Sequence, residues 1–326
     1  METRTLGPLG PVSALTLGGG GIGALWGETT REEGIATLRE AVDSGITVLD
    51  AAPGYNVCEA LIGEAFDGRL PDGVLLTTKY GIGNPQPGTV LATFRASLEA
   101  SLAAMRVDHV DAFFLHGHLG PPPGAPERDT AGRDVSDYTP WNIYIEEVIP
   151  AFESLVAEGL IRHWALTGVD TPEAIIAAVG AGKRPAAIQA VANLLDSPGS
   201  LTGGLKPGPR PRDIIAAAGA AGVGVMGIRA VQAGALTARF DRALDPDHPD
   251  LPDYDRAAPF RALCEQWGED PAIVAHRYAL HLDGVDTLIL GVKNREELRA
   301  AIAFEEAGPL DPAQVEAIDA LGLRAQ

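Results

Sequence analysis

The sequence predicts a closed (β/α)8 TIM barrel, in which eight parallel strands are ringed by helices. Eight short apolar segments alternate with helical patterns along the 326 residues, without a break in composition. Regular alternation of strand and helix is typical of a parallel sheet. Barrels of this class commonly run to such a length. Residues 1–326 are therefore expected to form a single barrel domain.

The first half of the chain is expected to supply a hairpin and four strand–helix units. Gly-Pro and Leu-Gly turns within Arg4–Val12 predict a short hairpin before the barrel. Thr30 and Glu33 fit a capping box, so the first helix should begin near Thr30. A second helix is expected at Val57–Phe66. The strands expected in this half are Ala14–Leu17, Ile46–Asp50, Val74–Lys79 and Val110–His116.

The second half continues the alternation after a long connection. Residues 117–142 include three consecutive prolines, and connections of this length inside compact domains are usually functional or disordered. Their position directly after a strand favours a functional loop. A helix is expected at Pro150–Ala157, with the proline in its first turn. The remaining strands are expected at Arg162–Thr167, Ala187–Val191, Gly224–Ile228 and Thr287–Leu290.

A doubly wound open sheet is the alternative fold. It would require a glycine-rich turn that opens directly into the first helix. Gly18–Gly23 (GGGGIG) has the glycines, but Trp26-Gly27-Glu28 separates it from the expected helix. The sequence therefore favours the barrel.

Composition argues against several classes of partner. The net charge of −19 argues against nucleic acid or an anionic membrane as the main partner. Cys58 and Cys264 allow at most one disulfide and are expected to be free thiols. No apolar run approaches the ~20 residues of a membrane span, and the N-terminus lacks the apolar core of a signal peptide. A cytoplasmic protein that acts on a small molecule is expected.

Four ionisable residues are predicted to meet at one end of the barrel. Asp50, Lys79 and His116 end the second, third and fourth strands, and Tyr55 follows in the loop after Asp50. Catalytic groups of such barrels lie where the strands end. Each residue taken alone has an ordinary structural explanation, as an ion pair, a surface lysine or a core histidine. Their convergence from adjacent strands instead predicts a catalytic site.

The chemistry of these four groups is coherent. A free tyrosine titrates near ~10, and a nearby ammonium is expected to lower that pKa. A carboxylate beside the lysine would keep it charged and fixed. Asp50, Lys79 and Tyr55 would then form a general acid, with His116 donating a hydrogen bond to a polarised oxygen. The set contains no hydride source, so it requires a redox cofactor.

The motifs DAAPGY (50–55), TKY (78–80) and FLH (114–116) resemble those of the aldo-keto reductases, over essentially the whole chain. This resemblance implies a (β/α)8 barrel that uses NADPH, or sometimes NADH. It assigns Asp50, Tyr55, Lys79 and His116 to the catalytic tetrad, with Tyr55 as the acid.

The resemblance also implies a set of cofactor contacts. Gln189, in AIQAVANLLD, would bind the nicotinamide carboxamide. Thr167-Gly168 stands where the family usually has Ser-Asn, and Ile228 where an aromatic residue often stacks on nicotinamide. Lys293 would bind a 2′-phosphate, so NADP(H) is expected in preference to NAD(H). The full set is Gly19, Gly20, Asp50, Thr167, Gln189, Ile228, Arg229, Gly291, Lys293 and Glu297.

The substrate and the direction of the reaction stay open. Trp26, Tyr55, His116 and Trp141 are the candidate substrate contacts. The leading hypothesis is an oxidoreductase acting on a small aldehyde, ketone or sugar. Its alternatives are an aldose 1-dehydrogenase, suggested by the MGIRA pattern and the long fourth loop, and a nicotinamide-binding subunit that senses redox state. A barrel lyase or isomerase would need an anion or metal site. His116 and His118, at one strand end, are a candidate ligand pair, but no metal is expected.

Overall fold

Eight parallel strands close into a barrel whose strands follow one another in chain order. The computed structural model describes residues 1–126, 138–169, 171–201, 208–240 and 242–324. The barrel closes because the last strand pairs with the first, with Leu288 lying opposite Leu15. The predicted fold class is confirmed. The strands β1 to β8 are Leu15–Gly18, Val48–Asp50, Leu75–Tyr80, Val110–Leu115, Ile161–Thr167, Ala187–Val191, Gly224–Ile228 and Thr287–Leu290.

Helices pack around this barrel. The part of the chain that is described contains no helix long and apolar enough to cross a membrane. Residues 127–137, within the predicted long loop, lie outside the described residues, as do 202–207. The helices α1 to α11 are Arg31–Asp43, Cys58–Phe66, Val90–Met105, Ile149–Ala157, Pro172–Gly180, Pro211–Ala220, Leu251–Arg256, Ala258–Trp267, Pro271–Leu280, Arg295–Glu306 and Pro312–Ala320.

The helical region before β5 begins earlier than expected. It starts at Trp141, passes through a π-helical stretch at Tyr144–Val148 and continues as α4. The backbone N–H of Ile149 donates to the carbonyl of Tyr144, five residues back. Pro150 has no N–H to donate. A wider turn just before it lets the helix continue instead of beginning at the proline, as the sequence had suggested.

The start of α1 also differs from expectation in one respect. Thr30 Oγ1 accepts a hydrogen bond from the backbone N–H of Glu33 at 3.1 Å, as predicted. The Glu33 carboxylate, however, does not complete a capping box. It accepts hydrogen bonds from the Arg295 backbone N–H and guanidinium at 3.0 and 2.9 Å. A charge-assisted bond to arginine is stronger than a bond to a neutral backbone N–H.

The N-terminal hairpin closes one end of the barrel. Thr3–Thr5 pairs antiparallel with Pro11–Ser13, as predicted. Leu6, in the turn, is fully buried and packs with residues of the barrel interior such as Val48 and Phe114. Gly7 approaches the backbone of Gly224, the first residue of β7. The end at which the strands begin is therefore filled, and the C-terminal rim is left for a site.

The glycine run is built for close packing. Gly19–Ile22 forms one helical turn directly after β1, where the sequence had suggested no helix. A Cβ atom on Gly23 would lie 2.1 Å from the Tyr55 carbonyl oxygen, and one on Gly21 would lie 2.1 Å from the Val292 carbonyl oxygen. Glycine is needed here because no side-chain atom fits between these backbones.

A Gly23→Ala substitution is expected to destabilise the protein by about 1–3 kcal/mol, the usual cost of overpacking. Its Cβ would push against the loop that carries Tyr55. Gly219→Ala is the matched control, because Gly219 lies in α6 with nothing within 4 Å of an added Cβ. Alanine in a helix should stabilise there by about 0.5–1 kcal/mol. Urea unfolding measures both variants, and equal stabilities would contradict the close approach.

Candidate active site

The strand register brings the predicted catalytic residues to the C-terminal rim. Asp50 is the last residue of β2 and lies opposite Gly18 in β1 and Thr77 in β3. Lys79, the next-to-last residue of β3, lies opposite Phe114 in β4. His116 directly follows β4. The expected convergence of these strand ends is confirmed.

Asp50 and Lys79 form a buried ion pair. Lys79 Nζ donates to Asp50 Oδ1 at 2.7 Å, to Oδ2 at 2.6 Å and to the Ala51 carbonyl at 2.9 Å. The two side chains are 2% and 0% exposed, so each buried charge is compensated by the other. Burial acts to lower the pKa of Lys79, but Asp50, together with Tyr55 and Cys58, more than offsets it, and the pKa is raised. The ammonium is therefore charged and fixed, as expected.

Asp50 has two further donors, of which the sequence indicated neither. Thr77 Oγ1 donates to Asp50 Oδ1 at 2.7 Å, and Gln189 Nε2 donates to the same oxygen at 2.9 Å. Thr77 lies two residues before Lys79 and so shares its face of the strand, and this spacing is the signal in the sequence that points to it. Gln189 had been assigned only to the cofactor. These donors fix the carboxylate that fixes the lysine.

Tyr55 lies above this pair. Lys79 Nζ is 4.9 Å from the centre of the Tyr55 ring. The loop that carries Tyr55 is held by a bond from the Asn56 side chain to the Gly23 carbonyl at 3.1 Å. Removal from water raises the pKa of Tyr55, and the opposing charge of Lys79 is not enough to reverse the shift. The expected lowering of this pKa is wrong, because burial outweighs the ammonium.

His116 completes the cluster. Its ring meets the Tyr55 ring edge to face, with centroids 6.0 Å apart and an interplanar angle of 84°. Its backbone N–H donates to the Tyr80 carbonyl at 2.9 Å, which holds the residue at the rim. Burial, together with the charge of Lys79, lowers the pKa of His116 to about 4. The imidazole is neutral near pH 7 and keeps one N–H to donate.

The neighbouring strand ends suit a nicotinamide ring. Thr167 lies opposite Gln189 in the sheet. Its Oγ1 is buried and has no hydrogen-bond partner among the described residues. A carboxamide bound here would satisfy that hydroxyl, so the residues present fit the cofactor that the chemistry requires. Ile228, at the end of β7, is half-buried beside them.

Arg229 is engaged within the protein. Its guanidinium donates to Asp250 Oδ1 at 2.9 Å and to Gln232 Oε1 at 2.9 Å. Asp250 is 1% exposed, so removing the arginine would strand a buried carboxylate. Arg229 was predicted as a cofactor contact, and the structure shows its guanidinium paired with an acid.

The other predicted cofactor and substrate contacts lie around the rim. A Cβ atom on Gly19 would clash with Cys58 Sγ, and a Cβ atom on Gly20 would clash with the Trp26 indole. Both glycines therefore pack closely against other side chains of the protein. Trp26 is half exposed. Trp141 packs against Tyr144 with ring centroids 5.4 Å apart. Gly291 is exposed after β8. Contacts of these residues with a ligand stay predictions.

The two cysteines are not joined in a disulfide. Cys58 and Cys264 are both free and buried, as the sequence indicated. Burial raises the pKa of the Cys58 thiol far above its ordinary value, although the thiol is close to the ion pair. A thiol in this state is a poor nucleophile.

Comparison with known proteins finds relatives that match between about half and nearly all of this chain. L-galactose dehydrogenase of Arabidopsis thaliana is 25% identical over 329 residues, covering 98% of this chain and 94% of that protein. NADH-specific methylglyoxal reductase of Escherichia coli is 28% identical over 167 residues, about half of each chain at 46%. The solved structure of aldo-keto reductase AKR11C1 from Bacillus halodurans, in its holo form, matches with a TM-score of 0.69. The match covers 98% of this chain and 96% of the AKR11C1 chain. Because the two sequences are only 23% identical, this match shows the fold alone.

The family follows from a match along nearly the whole chain. The sequence model described as the Aldo/keto reductase family matches residues 14–322. That range runs from the start of the barrel through the last helix, and it includes all four residues of the rim cluster. This protein is an oxidoreductase and belongs to the aldo/keto reductase family.

Proposed function

We propose that this protein catalyses hydride transfer between C4 of a nicotinamide dinucleotide and the carbonyl or alcohol carbon of a small aldehyde, ketone or sugar. Tyr55 is its general acid and base. The observation that carries the proposal is the buried Lys79–Asp50 pair beneath the Tyr55 ring, with the neutral His116 ring edge-on to it.

The residues account for the proton in this reaction. In reduction, Tyr55 gives its hydroxyl proton to the carbonyl oxygen and is left as a phenolate. The Lys79 ammonium stabilises that phenolate, and Asp50 keeps the ammonium in place. His116, which is neutral, donates an N–H to the same carbonyl oxygen and polarises it. In oxidation, the phenolate takes the proton of the alcohol.

The cofactor fits the strand ends beside the tetrad. A bound nicotinamide dinucleotide supplies or accepts the hydride. Thr167 Oγ1 and Gln189, on adjacent strands, are the groups that would hold its carboxamide. The reaction itself uses only the nicotinamide, so NADP(H), expected from Lys293, and NAD(H) both serve it. A relative named as NADH-specific shows that NADH is used among similar proteins.

Oxidation of an aldose at C1 is the second candidate. The relative that matches 98% of this chain is named L-galactose dehydrogenase. This supports a sugar substrate and the oxidative direction. A redox-sensing subunit with little turnover is the third, since an intact tetrad and a nicotinamide site would suit it as well. The cytoplasmic location and the single domain likewise remain predictions.

A binding titration followed by a substrate panel tests the proposal. Fluorescence titration with NADH and NADPH first establishes which nicotinamide binds. The panel then offers methylglyoxal and other small aldehydes with the reduced cofactor, and L-galactose and other aldoses with the oxidised one. Turnover of any member supports an enzyme, and the faster side gives the direction. Tight cofactor binding without turnover across the panel would favour the sensor instead, and no binding would refute all three.

The pH dependence of reduction should carry no histidine limb near pH 6.5. The pKa of His116 is lowered to about 4, so the ring takes up a proton only as the pH falls towards that value. The value of kcat/KM should therefore stay level from pH 8 down to about 5, with the neutral ring donating throughout. Initial rates across buffers of constant ionic strength check this. A loss of activity centred near pH 6.5 would mean that His116 is ordinary and accessible to water.

A further inference from the structure

The loop after β8 holds an internal anion at the start of α10. Glu297 Oε2 accepts a hydrogen bond from the Lys293 backbone N–H at 2.8 Å, and its Oε1 lies 3.2 Å from Lys293 Nζ. The Asn294 side chain caps the helix by accepting from the Glu297 N–H at 2.9 Å. The Glu297 carboxylate thus occupies both the main-chain donor and the ammonium that a phosphate would use.

The neighbouring arginines also form ion pairs within the protein. Arg295 binds Glu33 through its guanidinium at 2.9 Å, and Arg299 binds Glu40 at 2.5 Å. Each of the three cations of residues 293–299 is therefore paired with a carboxylate. A phosphate group brought to the loop after β8 would have to displace Glu297 from the Lys293 ammonium.

Both the backbone and the side chain of Lys293 contact the loop after β1. The Lys293 carbonyl accepts a hydrogen bond from Thr29 Oγ1 at 2.7 Å, and Lys293 Cδ would lie 3.2 Å from a Cβ on Gly27. The side chain is 19% exposed. These contacts hold Lys293 against the loop after β1, next to Glu297.

We infer that Glu297 makes the site selective for NAD(H) over NADP(H). In (β/α)8 barrels the loops after strands seven and eight and a nearby helix N-terminus frequently hold phosphate groups. In the dinucleotide sites of Rossmann folds an acidic residue accepts from the ribose 2′-hydroxyl of NAD, whereas an arginine accommodates the 2′-phosphate of NADP. The same complementarity of charge applies to a dinucleotide bound on a barrel. Glu297 supplies the carboxylate for the hydroxyl, and it already pairs with Lys293, the cation expected to bind a 2′-phosphate. The inference rests on the proposed nicotinamide site and reverses the preference expected from Lys293 alone.

Direct binding of both cofactors to three proteins tests the inference. The wild type, Glu297→Gln and Glu296→Gln are each titrated with NADH and NADPH by calorimetry, at one fixed ionic strength. Glutamine keeps the size of the side chain and an acceptor for the Lys293 N–H, but it removes the charge and releases the ammonium. Glu296→Gln makes the same charge change one residue away, on an exposed side chain.

The wild type should bind NADH at least about tenfold more tightly than NADPH, and Glu297→Gln should shift this ratio about tenfold towards NADPH. Glu296→Gln should leave the ratio unchanged. Tighter binding of NADPH by the wild type would overturn the inference while leaving the proposed function intact. An equal shift in both variants would overturn it too, since it would show a general charge effect. Binding of neither cofactor to any of the proteins would refute the proposed function and the inference with it.

Discussion

Replacing Tyr55 with phenylalanine should lower kcat for carbonyl reduction by about 10²–10⁴-fold, the usual contribution of a positioned general acid. The substitution removes the proton donor but keeps the ring that packs against His116 and above Lys79. Cofactor binding should hardly change, because the ion pair and the donors to Asp50 do not involve the phenol hydroxyl. Steady-state rates and the dissociation constant of the cofactor, measured on the same preparation, separate the two effects.

Tyr80→Phe is the matched control for this variant. Tyr80 is the last residue of β3 and also carries a phenol at the C-terminal rim. Its loss of a hydroxyl should change kcat only a few-fold, because Tyr80 is not the group placed above Lys79. If Tyr55→Phe retained a rate near that of Tyr80→Phe, another group would have to be the acid.

The Lys79→Met variant should lose about 3–5 kcal/mol in its free energy of unfolding, because removing one member of a buried ion pair leaves the other charge uncompensated. Lys79 is fully buried and contributes three hydrogen bonds, two of them to Asp50. Methionine fills much of the same volume, so the loss reflects the stranded carboxylate more than a cavity. Urea denaturation measures the change directly.

A double variant distinguishes this cause from general disruption. Asp50→Asn removes the stranded charge while keeping an oxygen that can accept from Thr77 and Gln189. The Asp50→Asn, Lys79→Met protein should therefore be more stable than Lys79→Met alone, although it is inactive. If the two single losses simply add in the double variant, Asp50 and Lys79 are not energetically coupled and the ion pair does not stabilise the fold.

The sequence by itself determined the barrel and the convergence of its catalytic residues. Apolar runs bounded by turn residues gave strands β6, β7 and β8 with the same bounds as the structure. Once strands are parallel and alternate with helices, their C-terminal ends share one rim. Asp50 and Lys79 were therefore brought together by topology alone, and their contact needed no knowledge of side-chain packing.

Only the tertiary structure decided how the charges outside the catalytic site pair and how burial changes the pKa values within it. Glu33 pairs with Arg295, and Arg229 pairs with Asp250, because folding brings distant segments of the chain together. The spacing of these residues in the sequence does not predict either pair. Lys293 and Glu297 stand four residues apart, yet their pairing depends on the cap that orients the start of α10. Folding also explains why the pKa of Tyr55 is raised, whereas the sequence predicted that it would be lowered. A nearby ammonium can be read from motifs, but the loss of water around a phenol exists only in the folded protein.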